Sequence, residues 1–507
     1  MQTKESRWLG GAACALITLL CSGAPASAQA FDRAAWQQDY TVLKTALEKR
    51  YSNLAWFASP EGGIDLPALN RRTLSALQSA TSDEDGNSAL LAFVRGFHDG
   101  HFSQLPTLTP ATTVGAAPAT PEYSRQDAAT GCAALNFAPY DRPIFSLPFE
   151  SLPGFRLIAD GIGTPFRAGI LADTAKSRSI GIVRIASFEE NSDQGLCIKA
   201  WARDDMWGLR GKLLRVPLRK AVEHDWYEAL AGVLRTFQAA GVAGVLVDVG
   251  NNSGGDDSGD ITARLFTARP VHSAALWMTQ DSATSAAYFD EELDALRTAR
   301  QLDSTSQLAG SAQAAFLLQK GQLTQATCGM DWVWQTRRPW SGTTCRRLVA
   351  AGSAGGPLSY LSPDSIRNVN VARQLHWPAV VAPLWGTWRG PLYVLTDNKT
   401  YSSAEMFAAV LQNNGAAKTV GIRTGGDGCG FMNNPDPVVL PHSRLRFRVP
   451  NCVRMRADGT DEVAGVKPDI PVLPMDGENG RVRAMRVFTE VTADLKRPSQ
   501  GPSEQLH

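Results

Sequence analysis

Apolar positions are most regularly patterned between residues 392 and 412, in the segment LYVLTDNKTYSSAEMFAAVLQ. The continuous apolar run at 392–395 has the pattern of a buried strand, and a polar turn follows it at 396–400. An amphipathic helix is then predicted from about Ser403, because apolar residues recur at helical spacing at Ala404, Phe407, Ala408 and Leu411. The pattern therefore predicts a strand, a short turn and a helix that begins at two adjacent serines.

A second buried strand is predicted at 242–249, directly after an amphipathic helix over 221–240. That helix carries its apolar face at Trp226, Leu230, Val233, Leu234 and Phe237. The strand ends in a glycine-containing loop at 250–255. A helix, a buried strand and a glycine loop in succession are typical of an α/β domain.

The N-terminal region has the periodicity of helices. Apolar residues recur at three- and four-residue spacing at Trp36, Tyr40, Leu43, Leu47 and Tyr51. Further helices are predicted at 66–80 and after the polar segment 82–85, and the pattern ends in His-Asp-Gly-His at 98–101. We expect a small helical domain that ends near residue 103.

Changes of pattern divide the chain into six predicted parts. They are a signal peptide (1–28), the N-terminal helical domain (31–103), a linker and β-rich segment without a recognisable PDZ-like domain (104–180), an α/β core (181–264 and 386–475), an insertion subdomain with a helical piece at 287–320 (265–385), and a C-terminal helix and tail (476–507).

The first residues have the three parts of a secretory signal. Lys4 and Arg7 are basic, residues 9–20 are apolar, and the small residues 26–28 form a cleavage site. The apolar run is too short for a good membrane span. We therefore expect an exported protein, periplasmic or secreted. A formal net charge of +1 over 507 residues gives no basic surplus for binding nucleic acid.

Six cysteines remain after the predicted cleavage, at positions 132, 197, 328, 345, 429 and 452. In an oxidising compartment they can form up to three disulfides, and the sequence leaves the pairing open. Cys328–Cys345 and Cys429–Cys452 are favoured because each closes a short loop. No pair has the C-x-x-C spacing of a zinc site, and no metal or cofactor is predicted.

The serines at the start of the predicted 403–412 helix allow two interpretations. Ser402 has the position of a helix N-cap, with Glu405 three residues later completing a capping box. Alternatively, the unpaired N–H groups and the dipole of a helix start suit a nucleophilic hydroxyl beside an oxyanion site.

Several segments together resemble the C-terminal-processing (tail-specific) serine peptidase family. They are the Asp-Gly-His at 99–101, the strand and loop at 248–255, the helix start Thr-Tyr-Ser-Ser-Ala-Glu at 400–405, and Gly-Val-Lys-Pro-Asp at 465–469. The resemblance spans residues 34–475 except for the insertion. It implies a crotonase-like (ClpP/crotonase-type) spiral α/β core and makes Ser402 the nucleophile.

The sequence departs from the common branch of that family, which uses a Ser–Lys dyad. The position of the lysine holds Asp427, and an ionised carboxylate beside Ser402 would oppose oxyanion formation. The sequence is more similar to the tricorn-core-like branch, which uses histidine supported by glutamate. By this resemblance His101 is the base and Glu462 the supporting carboxylate, although glycine replaces the serine that precedes the histidine.

The resemblance also indicates how substrate would bind. The oxyanion donors would be the N–H of Ser403 and that of Gly254 or Gly255, since glycine lets a backbone approach the substrate closely. A peptide would lie along an exposed strand edge. We therefore expect an exported serine endopeptidase or carboxyl-terminal-processing-type peptidase that acts on peptides or proteins without a cofactor. The alternative is a catalytically inactive relative that binds a peptide or an apolar ligand in the same cleft. The sequence does not specify an oligomeric state.

Overall fold

The computed structural model describes residues 31–107, 123–137, 143–173, 178–189, 193–305, 307–340, 347–359 and 368–496. The predicted signal peptide and Cys345, half of one predicted disulfide, lie outside these ranges. No helix in the described ranges is both long enough and apolar enough to cross a bilayer.

Helices and strands alternate through the middle of the chain. The α-helices are α1 (Arg33–Arg50), α2 (Leu54–Phe57), α3 (Leu66–Ser79), α4 (Asp83–Arg95), α5 (Ala128–Ala134), α6 (Gln194–Trp201), α7 (Arg215–Ala239), α8 (Ser258–Ala263), α9 (Ser282–Leu302), α10 (Gln307–Gln322), α11 (Val369–Leu375), α12 (Ser402–Asn413) and α13 (Gly480–Asp494). The strands are β1 (Ser103–Leu105), β2 (Phe155–Asp160), β3 (Arg167–Asp173), β4 (Arg178–Arg184), β5 (Gly244–Asp248), β6 (Ala275–Thr279), β7 (Leu348–Ser353), β8 (Leu392–Thr396), β9 (Lys418–Gly421), β10 (Val438–Val439), β11 (Arg446–Arg448), β12 (Cys452–Met455) and β13 (Ile470–Pro471).

A seven-stranded sheet forms the centre of this mixed α/β fold, in the order β13-β9-β8-β5-β4-β3-β2. The neighbours from β13 to β4 are parallel, whereas β4, β3 and β2 pair antiparallel. Every residue of β5 and β8 is buried. This confirms the two predicted apolar strands, because a central parallel strand is covered on both faces. It also brings the segments that follow β5 and β8 to one edge of the sheet.

The N-terminal helices pack against residues from the C-terminal half of the chain. Tyr40 and Phe93 meet edge to face in a buried cluster that also contains Trp334 and Phe447. Helix α4 begins at the predicted polar segment, where Ser82 and Asp85 form a reciprocal capping box. The strand β1 that follows α4 pairs with β11. These contacts hold the end of the helical region against the residues that follow β9.

The helical piece predicted over 287–320 is confirmed as helical, but it consists of two helices, α9 and α10. The chain becomes extended at Asp303, whose carboxylate accepts hydrogen bonds from the backbone and hydroxyl of Thr305. A short polar side chain that bonds to its own backbone in this way competes with the helix. Strands β6 and β7, from the same part of the chain, form a second sheet with β12.

The predicted Cys429–Cys452 disulfide is confirmed. A second disulfide joins Cys132 to Cys197, a pair the sequence left open. Cys328 is also disulfide-bonded.

We expect loss of the Cys429–Cys452 bond to lower the free energy of unfolding by about 3 kcal/mol, because its closure of a 23-residue separation restricts the unfolded chain. The Cys429→Ser/Cys452→Ser variant tests this by chemical denaturation. The matched Cys132→Ser/Cys197→Ser variant releases a 65-residue separation and should lose about 4 kcal/mol. Unchanged unfolding midpoints in both variants would contradict the expectation.

Candidate active site

Three loops meet at the carboxyl ends of the central strands. They follow β5 (residues 249–255), β8 (397–401) and β9 (422–430). Carboxyl ends of parallel strands lie at one edge of a sheet, where α/β proteins commonly place their functional groups. Residues 99–101, between α4 and β1, reach the same place from the N-terminal region, as their hydrogen bonds to the 427 and 402 positions show. These four separate parts of the chain form the centre of the site.

Ser402 is the first residue of α12 and has a backbone φ of +51°. A non-glycine residue in this region costs about 1–3 kcal/mol, so surrounding contacts must hold it. Its N–H donates to Asp427 Oδ1 at 2.8 Å, and its carbonyl accepts from Arg454 Nη2 at 3.3 Å. Both backbone polar groups of this strained residue are thus fixed by side chains.

The capping-box interpretation of Ser402 and Glu405 is wrong. The residue at the cap position is Tyr401, and no side chain caps this helix end. The buried carboxylate of Glu405 instead accepts hydrogen bonds from the Thr424 hydroxyl, from Gly426 N–H at 3.0 Å and from Gly428 N–H at 3.3 Å. Burial raises the pKa of Glu405 well above its ordinary value. The local spacing fitted a capping box, but tertiary contacts decide where this side chain goes.

The structure brings His101 and Ser402 together. His101 Nε2 lies 3.3 Å from Ser402 Oγ, and His101 Nδ1 lies 3.0 Å from the carbonyl oxygen of Asp427. Because a carbonyl can only accept, Nδ1 carries the proton of the neutral ring and Nε2 is left as an acceptor. The imidazole is therefore held in the tautomer that can receive a proton from the Ser402 hydroxyl.

Two buried carboxylates flank the far side of the His101 ring. Asp427 Oδ2 lies 3.6 Å and Asp99 Oδ1 lies 3.8 Å from Nδ1. Asp99 also accepts from the His101 N–H at 2.8 Å and from the Tyr51 hydroxyl at 2.5 Å. Burial raises the pKa of Asp99, and it raises the pKa of Asp427 to about 6.

Glu462 is buried at the same edge but contacts a different partner. Its two oxygens accept from Arg454 Nε at 2.6 Å and Arg454 Nη2 at 3.2 Å. The guanidinium also donates to the carbonyl of Gly428 at 2.8 Å. Within the described ranges Glu462 makes no hydrogen bond to His101. Its structural effect therefore reaches Ser402 through Arg454.

The structure distinguishes the two glycines that the sequence offered as oxyanion donors. The N–H of Gly254 donates to Asn252 Oδ1 at 2.8 Å. The N–H groups of Gly255 and Ser403 have no acceptor among the described residues. A side chain at Gly254 would lie 2.6 Å from Ser402 Cβ, and one at Gly255 would lie 2.0 Å from the carbonyl oxygen of Phe188. Glycine is therefore needed at both positions, and Gly255 retains a free donor.

Sequence reasoning missed Asp427, Asp99 and Arg454 as members of this site. Asp427 was rejected because it replaces the lysine of the common branch. Asp99 lies two residues before His101 in sequence, so its position was the available signal. Nothing in the sequence around Arg454 marks it. Among the residues that the structure describes, no three His, Cys, Asp or Glu side chains are arranged to hold a metal ion.

Comparison with known proteins matches the family model "Peptidase family S41" to residues 179–472. The crystal structure of mature CPAF is similar over 91% of this chain and 98% of that chain, with 15% identity and a TM-score of 0.50. The structure of mature CPAF complexed with lactacystin is similar over 91% of this chain and 99% of that chain, with the same identity and TM-score. The structure of the photosystem II D1 C-terminal processing protease is similar over 88% of this chain and 96% of that chain, with 13% identity and a TM-score of 0.31. No curated protein matches the sequence. At 15% identity, the likeness to CPAF shows a shared fold.

We expect Gly430→Ala to displace His101, since a Cβ there would lie 2.7 to 2.8 Å from three ring atoms. Gly459→Ala is the matched control, because Gly459 also has positive φ but has open space around its Cβ position. Both variants should lose about 1 kcal/mol of stability from backbone strain. Only Gly430→Ala should slow labelling of Ser402 by a serine-directed fluorophosphonate, by at least about tenfold. Equal labelling of the two variants would contradict this account of the His101 position.

Proposed function

The chain belongs to peptidase family S41 and is a serine-type peptidase, and from that premise we propose that it cleaves peptide bonds with Ser402 as nucleophile and His101 as general base. The observation that carries this proposal is the 3.3 Å contact between Ser402 Oγ and His101 Nε2. The contact from His101 Nδ1 to the Asp427 carbonyl supports it by orienting the ring. Nucleophile, base and an orienting group are the elements of serine acyl transfer.

In the proposed reaction Ser402 Oγ attacks the carbonyl carbon of the scissile bond while His101 Nε2 takes the hydroxyl proton. The negative charge moves to the carbonyl oxygen, where the N–H groups of Ser403 and Gly255 would donate to it. His101 then gives the proton to the departing amine. A water molecule, deprotonated by His101, hydrolyses the acyl-enzyme and releases Ser402.

Glu462 would act through Arg454 in this mechanism. The guanidinium fixes the carbonyl of Ser402, and a buried cation needs a paired carboxylate to remain in place. With Asp427 in the position of the lysine, the proposal follows the Ser–His(–Glu) chemistry of the tricorn-core-like branch. We also propose the crotonase-like spiral arrangement of that family for the core.

The proposed substrate is a peptide or protein outside the cytoplasm. The signal-like residues 1–28 and the disulfides support export to the periplasm or the medium. Strand β1 begins two residues after His101 and pairs with β11, and no strand in the described ranges pairs with its other edge. A peptide that added to this edge would reach the nucleophile. The protein would act as an endopeptidase, which cuts within a chain, or as a carboxyl-terminal-processing-type peptidase.

We expect Ser402→Ala and His101→Ala each to reduce cleavage of an unbiased peptide pool by at least about 1,000-fold, because nucleophile and base act as one unit. Products are measured by mass spectrometry with the mature protein. His224→Ala, an exposed position on α7, is the control and should cleave like the unmodified protein.

The outcomes separate the alternatives. Loss in Ser402→Ala alone would retain the nucleophile and remove His101 from the mechanism. A folded, unmodified protein that cleaves nothing and resists fluorophosphonate labelling would overturn the enzyme proposal in favour of a binding protein that uses the same cleft.

A further inference from the structure

We propose that Asp427 is a positioning residue that holds the Ser402 backbone and the His101 ring at once, and that its carboxylate must be ionised for full activity. This inference rests on the proposed Ser402–His101 chemistry. It gives a role to the residue that occupies the position of the family's lysine.

Three contacts of Asp427 support the positioning role. Its Oδ1 accepts the N–H of Ser402 at 2.8 Å, which fixes the strained start of α12. Its backbone carbonyl lies 3.0 Å from His101 Nδ1 and determines the ring's tautomer. Its Oδ2 lies 3.6 Å from the same nitrogen. One residue therefore sets the position of both reacting groups relative to each other.

The other carboxylates of the site are committed elsewhere. Both oxygens of Glu462 accept from Arg454. Asp99 is slightly farther from His101 Nδ1, at 3.8 Å, and its two oxygens accept from Tyr51 and from the His101 N–H. Asp427 Oδ2 is the nearest carboxylate oxygen to Nδ1, so it is best placed to stabilise the imidazolium that forms when Ser402 attacks.

The groups around Asp427 determine when its carboxylate is charged. Burial has the largest effect and raises its pKa to about 6. His101 and Arg454 favour the ionised form, whereas the Asp99 carboxylate disfavours it. The remaining titratable groups that interact with it are Glu405, Tyr51 and Tyr401. Asp427 is thus ionised above about pH 6 and neutral below it, within the range where a peptidase can be assayed.

The test compares kcat/KM of the unmodified protein with that of Asp427→Asn from pH 5 to 9. Asparagine can still accept from the Ser402 N–H but carries no charge. We expect the unmodified protein to be about 10- to 100-fold more active above pH 7.5 with little change in KM, and this ratio to fall about five- to tenfold by pH 5, where most of Asp427 is itself protonated. A ratio that does not vary with pH would overturn the charge role, because a purely structural defect is independent of this titration.

Asp461→Asn is the matched control. Asp461 is also buried, and burial raises its pKa to about 7, but it hydrogen-bonds Asn53 rather than His101. The ratio of kcat/KM of the unmodified protein to that of Asp461→Asn should stay constant with pH. An equal pH dependence in both variants would mean that any nearby carboxylate has the effect, and it would overturn the specific role of Asp427.

Two results distinguish this inference from the proposed function. If the unmodified protein cleaves peptides and Ser402→Ala does not, a flat Asp427→Asn ratio refutes only the inference. Should Asp427→Asn fail to fold, the unmodified protein still provides a test. Its fluorophosphonate labelling rate should fall with acid more steeply than one protonation allows, because both His101 and Asp427 must be unprotonated. A single-proton slope would overturn the inference.

An independent observation concerns Arg448, on the outward face of β11. Its guanidinium stacks 3.6 Å from the centre of the Phe431 ring, and Phe431 meets His101 edge to face at 5.7 Å between ring centres. Arg448 Nη2 donates to Asn434 Oδ1 at 3.1 Å, and no carboxylate in the described ranges pairs with it. Arg448 also lies opposite Ser103 in the β1–β11 pairing, two residues from His101. A held but unpaired guanidinium thus lies at the edge of the site.

We propose that Arg448 binds a carboxylate of the peptide substrate close to the scissile bond. Guanidinium groups bind carboxylates by paired, charge-assisted hydrogen bonds. Part of the Arg448 side chain is already ordered by Phe431 and Asn434, so little further ordering is needed on binding. The carboxylate could belong to an Asp or Glu side chain or to the C-terminus of the peptide.

Binding to the inactive Ser402→Ala protein tests this without requiring catalysis. Peptides of one sequence carry Glu or Gln next to the cleavage position, each with a free or an amidated C-terminus, and Kd is measured by calorimetry. Adding Arg448→Gln should raise the Kd of the carboxylate-bearing peptides about tenfold and leave the Kd of the neutral peptide unchanged. The peptides whose Kd rises show whether Arg448 binds the Glu side chain or the C-terminal carboxylate. Arg446→Gln, two residues away on the same strand, is the control and should keep the preference. Equal binding of all four peptides before substitution would overturn the proposal.

Discussion

The buried carboxylate of Glu405 determines the shape of the loop on which the site depends. It lies on α12, three residues after Ser402, and accepts hydrogen bonds from Thr424, Gly426 and Gly428. A buried carboxylate is costly unless its oxygens are satisfied, so these contacts tie the loop after β9 to the helix that carries Ser402. Asp427 lies between the two glycines and is thereby turned towards Ser402 and His101. The Glu405 contacts therefore fix the start of α12 relative to the loop without any contribution from the side chains of Ser402 and His101.

The same arrangement concentrates negative groups in a small buried volume. Burial raises the pKa of Asp257 and Asp427 to about 6 and that of Asp461 to about 7, and it also raises that of Asp99. A carboxyl group whose pKa is higher in the folded than in the unfolded protein favours folding at low pH. That contribution is complete below about pH 4 and is lost as pH rises through 6 to 7. At neutral pH these groups therefore oppose folding, and the paired Arg454 limits that cost.

Sequence patterns predicted the parts of this structure that depend on local periodicity. The buried strands β5 and β8 and the helices α1, α3, α7 and α12 followed from the spacing of apolar residues. Contacts between distant segments left no such pattern. The sheet of β6, β7 and β12 joins residues about 70 to 180 positions apart in sequence. Local spacing even misdirected the prediction at Glu405, where the i, i+3 relation to Ser402 suggested a cap.

The candidate site shows the same division between local and distant information. Ser402 could be found from its helix start, but its pairing with His101 rested on family resemblance, since 301 residues separate the two. Asp427 was rejected on the argument that an ionised carboxylate opposes a developing oxyanion. That argument took no account of where its oxygens point. In the structure one oxygen accepts from the Ser402 N–H and the other lies 3.6 Å from His101 Nδ1.

The wide separation of these residues also has a consequence for the order of protein synthesis. The ribosome makes His101 301 residues before Ser402 and 326 residues before Asp427. Arg454, which fixes the Ser402 carbonyl, is made later still. A growing or prematurely terminated chain therefore holds His101 without Ser402, Asp427 and Arg454. In the proposed mechanism the site is complete only once the chain extends beyond residue 454, so its assembly falls near the end of translation.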